Sequence, residues 1–151
     1  MNASVATTRD GSPIPKRARA AAMRAALGFA ILTVFQLALA LGAPLGHAAY
    51  GGKSTYLNAG LRASSAVAVV FWALAALVIL RRAGFRVPLV SERFARGGTW
   101  FLIVLLVLGL IMNLASSSGW ERFGWAPFGL ILVVLCLVVA RGGSKEPGSD
   151  R

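Results

Sequence analysis

The chain has 151 residues, 57% of them hydrophobic and 14% charged, with a mean hydropathy of +0.71. That balance excludes an ordinary soluble domain, where charged residues make up roughly 25%, and the length holds one membrane domain with no second folded unit. The net charge of +11 would suit nucleic acid, but no aromatic-interleaved basic groove or soluble module accompanies it, so nucleic acid is excluded as a partner.

Residues 1–22 are polar, basic and rich in small residues, with Pro13 and Pro15. They read as a disordered cytoplasmic tail. Met23 stands directly before the first apolar run and is an alternative start. That run, Ala25 to Ala43, has 19 residues without a charge. Together with the basic stretch before it and the Ala38-Leu39-Ala40 triplet, it mimics a secretory signal. Its length exceeds the roughly 7–15 apolar residues of a signal peptide, so it is read as an uncleaved helix.

The first outer loop, Pro44 to Arg62, holds Gly46, Gly51, Gly52 and Gly60 together with Tyr50 and Tyr56. Glycine density of this kind marks tight turns or close backbone approach, and the tyrosines suit a headgroup interface. The second run spans Ala63 to Leu80. Its small residues Ser64, Ala68 and Ala76, interrupted by Trp72, predict a close helix contact.

The middle loop, Arg81 to Thr99, contains PLVSERFAR. Val90 and Phe94 share one helical face at i,i+4, and Glu92 and Arg96 are expected to pair on another. A short amphipathic helix on the inner leaflet and an irregular basic loop both fit this stretch. The third run, Trp100 to Ser118, carries Gly109 and Asn113 on one stripe. A very short link around Ser116 to Arg122 then makes the third and fourth spans antiparallel neighbours. The fourth run is Phe123 to Ala140, with Pro127 in its first turn, where a missing N–H costs little. Trp120 and Trp125 are expected in an outer aromatic belt. Residues 142–151 read as a second disordered tail.

Each run has 18 or 19 residues, which at about 1.5 Å per helical residue matches a hydrocarbon core roughly 30 Å thick. The predicted fold is therefore all-α, a membrane-embedded bundle of four transmembrane helices over residues 23–141. Thirteen of the sixteen Lys and Arg residues precede the first run, lie between the second and third, or follow the fourth; Lys53, Arg62 and Arg122 are the other three. The positive-inside rule then places both termini in the cytoplasm. Anionic lipid headgroups on that side are the expected partners, worth about 1 kcal/mol per basic residue near the surface. A second copy of the chain or a partner membrane protein is a further expected contact.

Chemistry-bearing residues are few. Cys136 is the one cysteine and His47 the one histidine, so neither a disulfide nor a transition-metal site is expected, and no cofactor. Gln36 and Asn113 are polar residues at matching membrane depth toward the outer side. An amide in hydrocarbon needs a partner. Two readings follow. The amides hydrogen-bond each other across a first–third helix contact, or they line an outward-facing pocket with His47 and Ser116. Glu121 is the one acid on the outer side, and Arg62 and Lys53 are its expected ion-pair partners, with Arg122 beside it. A catalytic use of Glu121 with His47 would need a nucleophile or metal to complete it; Ser116, Ser117 and Ser118 are at hand, but serines near a helix end usually serve as caps or turn residues.

Two stretches, FQLALALGAPLGHAAYGG (Phe35 to Gly52) and MNLASSSGWERFGWAP (Met112 to Pro127), resemble segments of a group of small four-helix integral membrane proteins of bacteria, found particularly in high-GC genomes. The resemblance covers most of Met23 to Arg141. It implies a bacterial cytoplasmic-membrane location and a four-helix count, and carries no activity. The function expected from the sequence is non-enzymatic, as an accessory or structural subunit acting through helix and lipid contacts. Binding or transport of a small molecule or lipid in the outer pocket is the alternative, and an outer-leaflet enzyme a third.

Overall fold

A computed structural model describes residues 14–142, and among them there are helices and turns but no strand. Four long helices follow one another: α1 (Lys16–Ala40), α2 (Ala59–Arg82), α3 (Glu92–Ala115) and α4 (Ala126–Gly142). A π-helical turn, Glu121–Trp125, runs directly into α4. Each helix packs on the next and α4 closes on α1, so α1 and α3 lie across the diagonal of a four-helix bundle.

Local chemistry sets the helix ends. Asn58 opens α2 by accepting the Leu61 N–H (2.9 Å), and Ser91 opens α3 by accepting that of Phe94 (3.2 Å). Each cap satisfies an N–H that the helix leaves without a partner. At the other end of α1 and of α2 the chain turns through a left-handed glycine, Gly42 (φ +93°) and Gly84 (φ +78°). The N–H groups of Gly42 and Ala43 return to Leu39 and Ala38, and those of Gly84 and Phe85 to Arg81 and Leu80. This paired closure needs a residue without a Cβ penalty at positive φ. Arg62 adds a charge at the C-terminus of α1 by donating to the Ala40 carbonyl (3.0 Å), which the helix dipole favours.

The two ends of the bundle differ in composition. The arginine end gathers the start of α1, the α2–α3 connection and the end of α4, with Arg17, Arg19, Arg81, Arg82, Arg86, Arg93, Arg96 and Arg141. The loop end gathers residues 41–58 and 116–125. The main core lies toward the arginine end, where Ala18, Ala21, Ala22, Ala25, Phe29, Ala75, Ile79, Ala95, Cys136 and Val139 are buried. Alanines at the contacts let helix backbones approach closely. Gly142 lies against Ala18, Gly28 against Leu132, and Gly98 against Val78.

All four helices are long and apolar enough to cross a membrane, with α4 taken from Glu121. At most 33% of the most apolar window of any helix is buried. Their outer faces carry Leu27, Val34, Val67, Val70, Phe101, Val104, Ile111 and Ile131 in the open, the reverse of a water-soluble bundle with its polar outer stripe.

Helix ends depart from the expected positions. α1 starts at Lys16, so residues 16–22 are helical, although they were expected in the tail. Alanine and arginine are strong helix formers, and Ala18, Ala21 and Ala22 are buried, while Arg19 lies over the Phe85 ring (4.6 Å). The PLVSERFAR stretch is neither a separate surface helix nor an irregular loop from Ser91 onward: it caps and begins α3. Glu92 pairs with Arg81 (3.4 Å). On α2 the residue that turns inward is Ser65; Ser64 is exposed and its hydroxyl returns to the Gly60 carbonyl (3.1 Å). The remaining tail residues, 1–13 and 143–151, lie outside the described part of the chain.

Candidate functional site

Four hydrogen bonds fold the 44–58 loop down onto the 116–125 segment. The Ser118 hydroxyl donates to the His47 carbonyl (2.8 Å) and that of Ser117 to the Gly51 carbonyl (3.3 Å). The Gly51 N–H donates to Glu121 Oε1 (3.0 Å), and the Trp125 indole N–H to the Ala48 carbonyl (2.8 Å). Close packing fixes the loop from within. A Cβ on Gly46 would stand 2.2 Å from the Ser54 carbonyl oxygen, and Leu57 and Ala49 pack on Leu39.

Beneath this loop the bundle holds a cavity of about 440 Å³, with walls from α1, α2, α3, α4 and the loop itself. Most of the lining is apolar. Gly109 and Gly129 face open space, since a Cβ at either would meet nothing within 4 Å. Leu108 and Met112 line the cavity and are exposed, so it opens along α3 to the apolar outer surface. Five aromatic side chains, Phe35, Tyr50, Trp72, Trp125 and Phe128, form much of the wall. The Trp125 ring packs against Phe35 at 4.7 Å and Phe128 at 5.7 Å, and Trp72 stacks on Phe29 at 5.7 Å.

Three polar residues reach the same wall: Gln36, Asn113 and Glu121. Gln36 and Asn113 are not bonded to each other. The diagonal placement of their helices keeps the two amides apart, and Gln36 Oε1 is buried without a hydrogen-bond partner. A buried carbonyl left in that condition costs about 1–3 kcal/mol.

Glu121 sits in the π-helical turn and is 8% exposed. Turns of this kind recur at functional sites. Its carboxylate accepts the Gly51 N–H and the Ser116 hydroxyl. The expected ion pair with Arg62 or Lys53 does not form. Arg62 is spent on the end of α1, and Arg122 donates to the Ser116 carbonyl (2.7 Å). Among the described residues no Lys, Arg or His nitrogen comes within 4.0 Å of the Glu121 carboxylate. The carboxylate stands at the entry to the fourth apolar helix, in the π-helical turn that runs into α4 rather than in an irregular link before it.

Tyr50 is the one described non-glycine residue at positive φ (+53°). Strain of that kind persists when the surroundings over-determine it. Here the Tyr50 hydroxyl is held by Ser65 Oγ (2.9 Å) and the ring closes the cavity.

His47 is absent from the cavity wall. Its Nδ1–H donates to the Gly52 carbonyl (3.0 Å) and its Nε2 accepts the Thr55 hydroxyl (2.9 Å), so the ring staples the loop from outside. It borders a separate shallow depression with Ser117, Ser118 and Trp120. Of the seven residues singled out in the sequence, the structure brings Gln36, Asn113 and Glu121 to one cavity and holds Ser116 beside them through Glu121. Arg122 and His47 hold the segments that cover it, and Arg62 stands apart at the end of α1. Sequence reading passed over Tyr50, Trp72 and Trp125 as lining residues. Their one signal was the clustering of aromatics at one end of the helices, which a membrane interface produces equally well. Comparison with protein-family models, curated proteins and solved structures found no match for this chain.

Proposed function

We propose that the chain is a multi-pass protein of a bacterial cytoplasmic membrane that holds a small, largely apolar ligand in the loop-end cavity, without catalysing a reaction on it. The arginine end faces the cytoplasm in this reading and the loop end faces outward. The segregation of basic residues supports that orientation, and the apolar outer faces of all four helices support embedding in lipid.

The single observation that carries the ligand reading is the cavity itself. A bundle acting only through its surfaces gains nothing from about 440 Å³ of space, whose lining residues forfeit dispersion contacts. Its size falls in the ordinary range for small-molecule sites, and so does its make-up of apolar walls with a few convergent polar groups. The side opening along α3 suits entry from the acyl-chain region. The non-enzymatic reading draws on the engagement of His47 in the loop and on the Ser116–Glu121 pair, which has no third group to activate a nucleophile.

Gly109→Leu tests this. The added side chain fills the cavity from a helical position with free space around it. Native mass spectrometry of protein extracted from its membrane is expected to detect a retained small molecule or lipid on the wild type and none on Gly109→Leu. Identical spectra for the two proteins would overturn the reading.

A further inference from the structure

The geometry points to an organic ammonium ion as the ligand of the loop-end cavity, an amphiphile whose cationic head sits against Glu121 and whose apolar body fills the space between α1, α3 and α4. This rests on the ligand-binding reading above and names the chemical class.

Three features converge on positive charge. First, Glu121 is 8% exposed, lines the cavity and meets only neutral donors, the Gly51 N–H and the Ser116 hydroxyl. Neither donor brings a positive charge to the carboxylate. Burying an ionised carboxylate is costly unless it is paired, and the cations at this end of the bundle are turned to other partners or exposed. Second, the remaining polar groups on the wall can accept. Gln36 presents a buried carbonyl oxygen without a donor, and Asn113 offers a second amide. A primary ammonium head satisfies such acceptors directly. Third, Phe35, Tyr50, Trp72, Trp125 and Phe128 surround the cavity. Aromatic faces attract cations through the ring quadrupole, and cages of such rings are the recurring means of holding alkylammonium groups.

An anionic ligand fails on the same wall, because no basic side chain lines the cavity and Glu121 would repel it. A neutral apolar ligand fills the volume but brings no positive charge to Glu121 and no donor to the Gln36 oxygen.

The ammonium can come from a lipid headgroup or from a free organic cation, and the experiment separates the two. Purified full-length protein in nanodiscs of pure phosphatidylglycerol is titrated with benzylammonium and with its uncharged isostere ethylbenzene. Intrinsic tryptophan fluorescence is the readout, with Trp72 and Trp125 of the four tryptophans lining the cavity. The cation is expected to bind saturably and about ten- to a hundred-fold more tightly than the isostere, the scale of a charge-assisted contact. Glu121→Gln, which keeps the side chain's shape and an acceptor for Gly51, is expected to remove that preference. Repeating the titration in nanodiscs with phosphatidylethanolamine assigns the source. Weakened apparent affinity marks a headgroup as the competing occupant, and unchanged affinity marks a free cation. Equal binding of cation and isostere to the wild type would overturn the ammonium assignment while leaving the cavity as a ligand site. Binding of neither probe would overturn both. The isostere comparison uses the wild-type protein alone, so the assignment stays falsifiable if Glu121→Gln does not fold.

Discussion

The two halves of the bundle use the same four helices for opposite ends. Toward the arginine end, alanines and one fully buried phenylalanine bring the helices into close contact, and Gly28, Gly98 and Gly142 each lie against a neighbouring side chain. Toward the loop end, glycines on α3 and α4 face open space, and aromatic rings surround a cavity where a core would otherwise be. Small residues thus have two meanings in one chain. Where a neighbouring helix closes in, they permit contact; where it does not, they keep room. The difference is set by what lies opposite. The 44–58 loop, bonded to Ser117, Ser118, Glu121 and Trp125, roofs the open half and holds it apart.

The largest separation between the halves is expected from paired phenylalanine truncations. Phe29 is fully buried and stacked on Trp72, so Phe29→Ala should cost about 3–5 kcal/mol. Phe35 faces the cavity on one side, so Phe35→Ala should cost clearly less. Reversible unfolding in mixed micelles measures both, and equal losses would erase the contrast. Gly46→Ala comes next. Its Cβ would meet backbone oxygens of Ser54 and Thr55 at 2.2 and 2.8 Å, neither of which can rotate away, so about 1–3 kcal/mol is expected from overpacking. Hydrogen exchange should show that loss concentrated in the 44–58 roof, with α1 residues 18–29 unaffected. The smallest effect belongs to Tyr50→Phe. It removes the 2.9 Å bond to Ser65 Oγ and should cost about 1 kcal/mol, read as faster exchange at the loop end alone.

The four helices were legible in the sequence because charge-free runs of 18 or 19 residues have few other uses. Their ends were not. Apolarity marks where a helix has an apolar environment, while its start depends on caps and propensity. Lys16 to Arg24 is helical because its alanines pack and its arginines do not oppose the helix, and a hydropathy reading saw only charge there. Gln36, Asn113 and Glu121 stood out as polar residues beside or within apolar runs. Their relation to one another depended on which helices are diagonal, and no local pattern carries that. Trp125 shows the limit most clearly. Its place at a helix end fits an interfacial belt, and only the Ala48 carbonyl, 77 residues away in sequence, turns it inward.

The central claim is that one half of the bundle is packed and the other holds usable space, and a matched pair of leucine substitutions tests it most directly. Gly109→Leu adds its side chain where a Cβ meets nothing within 4 Å, and Ala25→Leu adds a comparable bulk at a residue with 0% exposure. Thermal unfolding of ligand-free protein should show Gly109→Leu at or above the wild-type midpoint, since it also removes a glycine from a helix interior. Ala25→Leu should lose about 1–3 kcal/mol to overpacking. A loss at Gly109→Leu as large as that at Ala25→Leu would contradict the account.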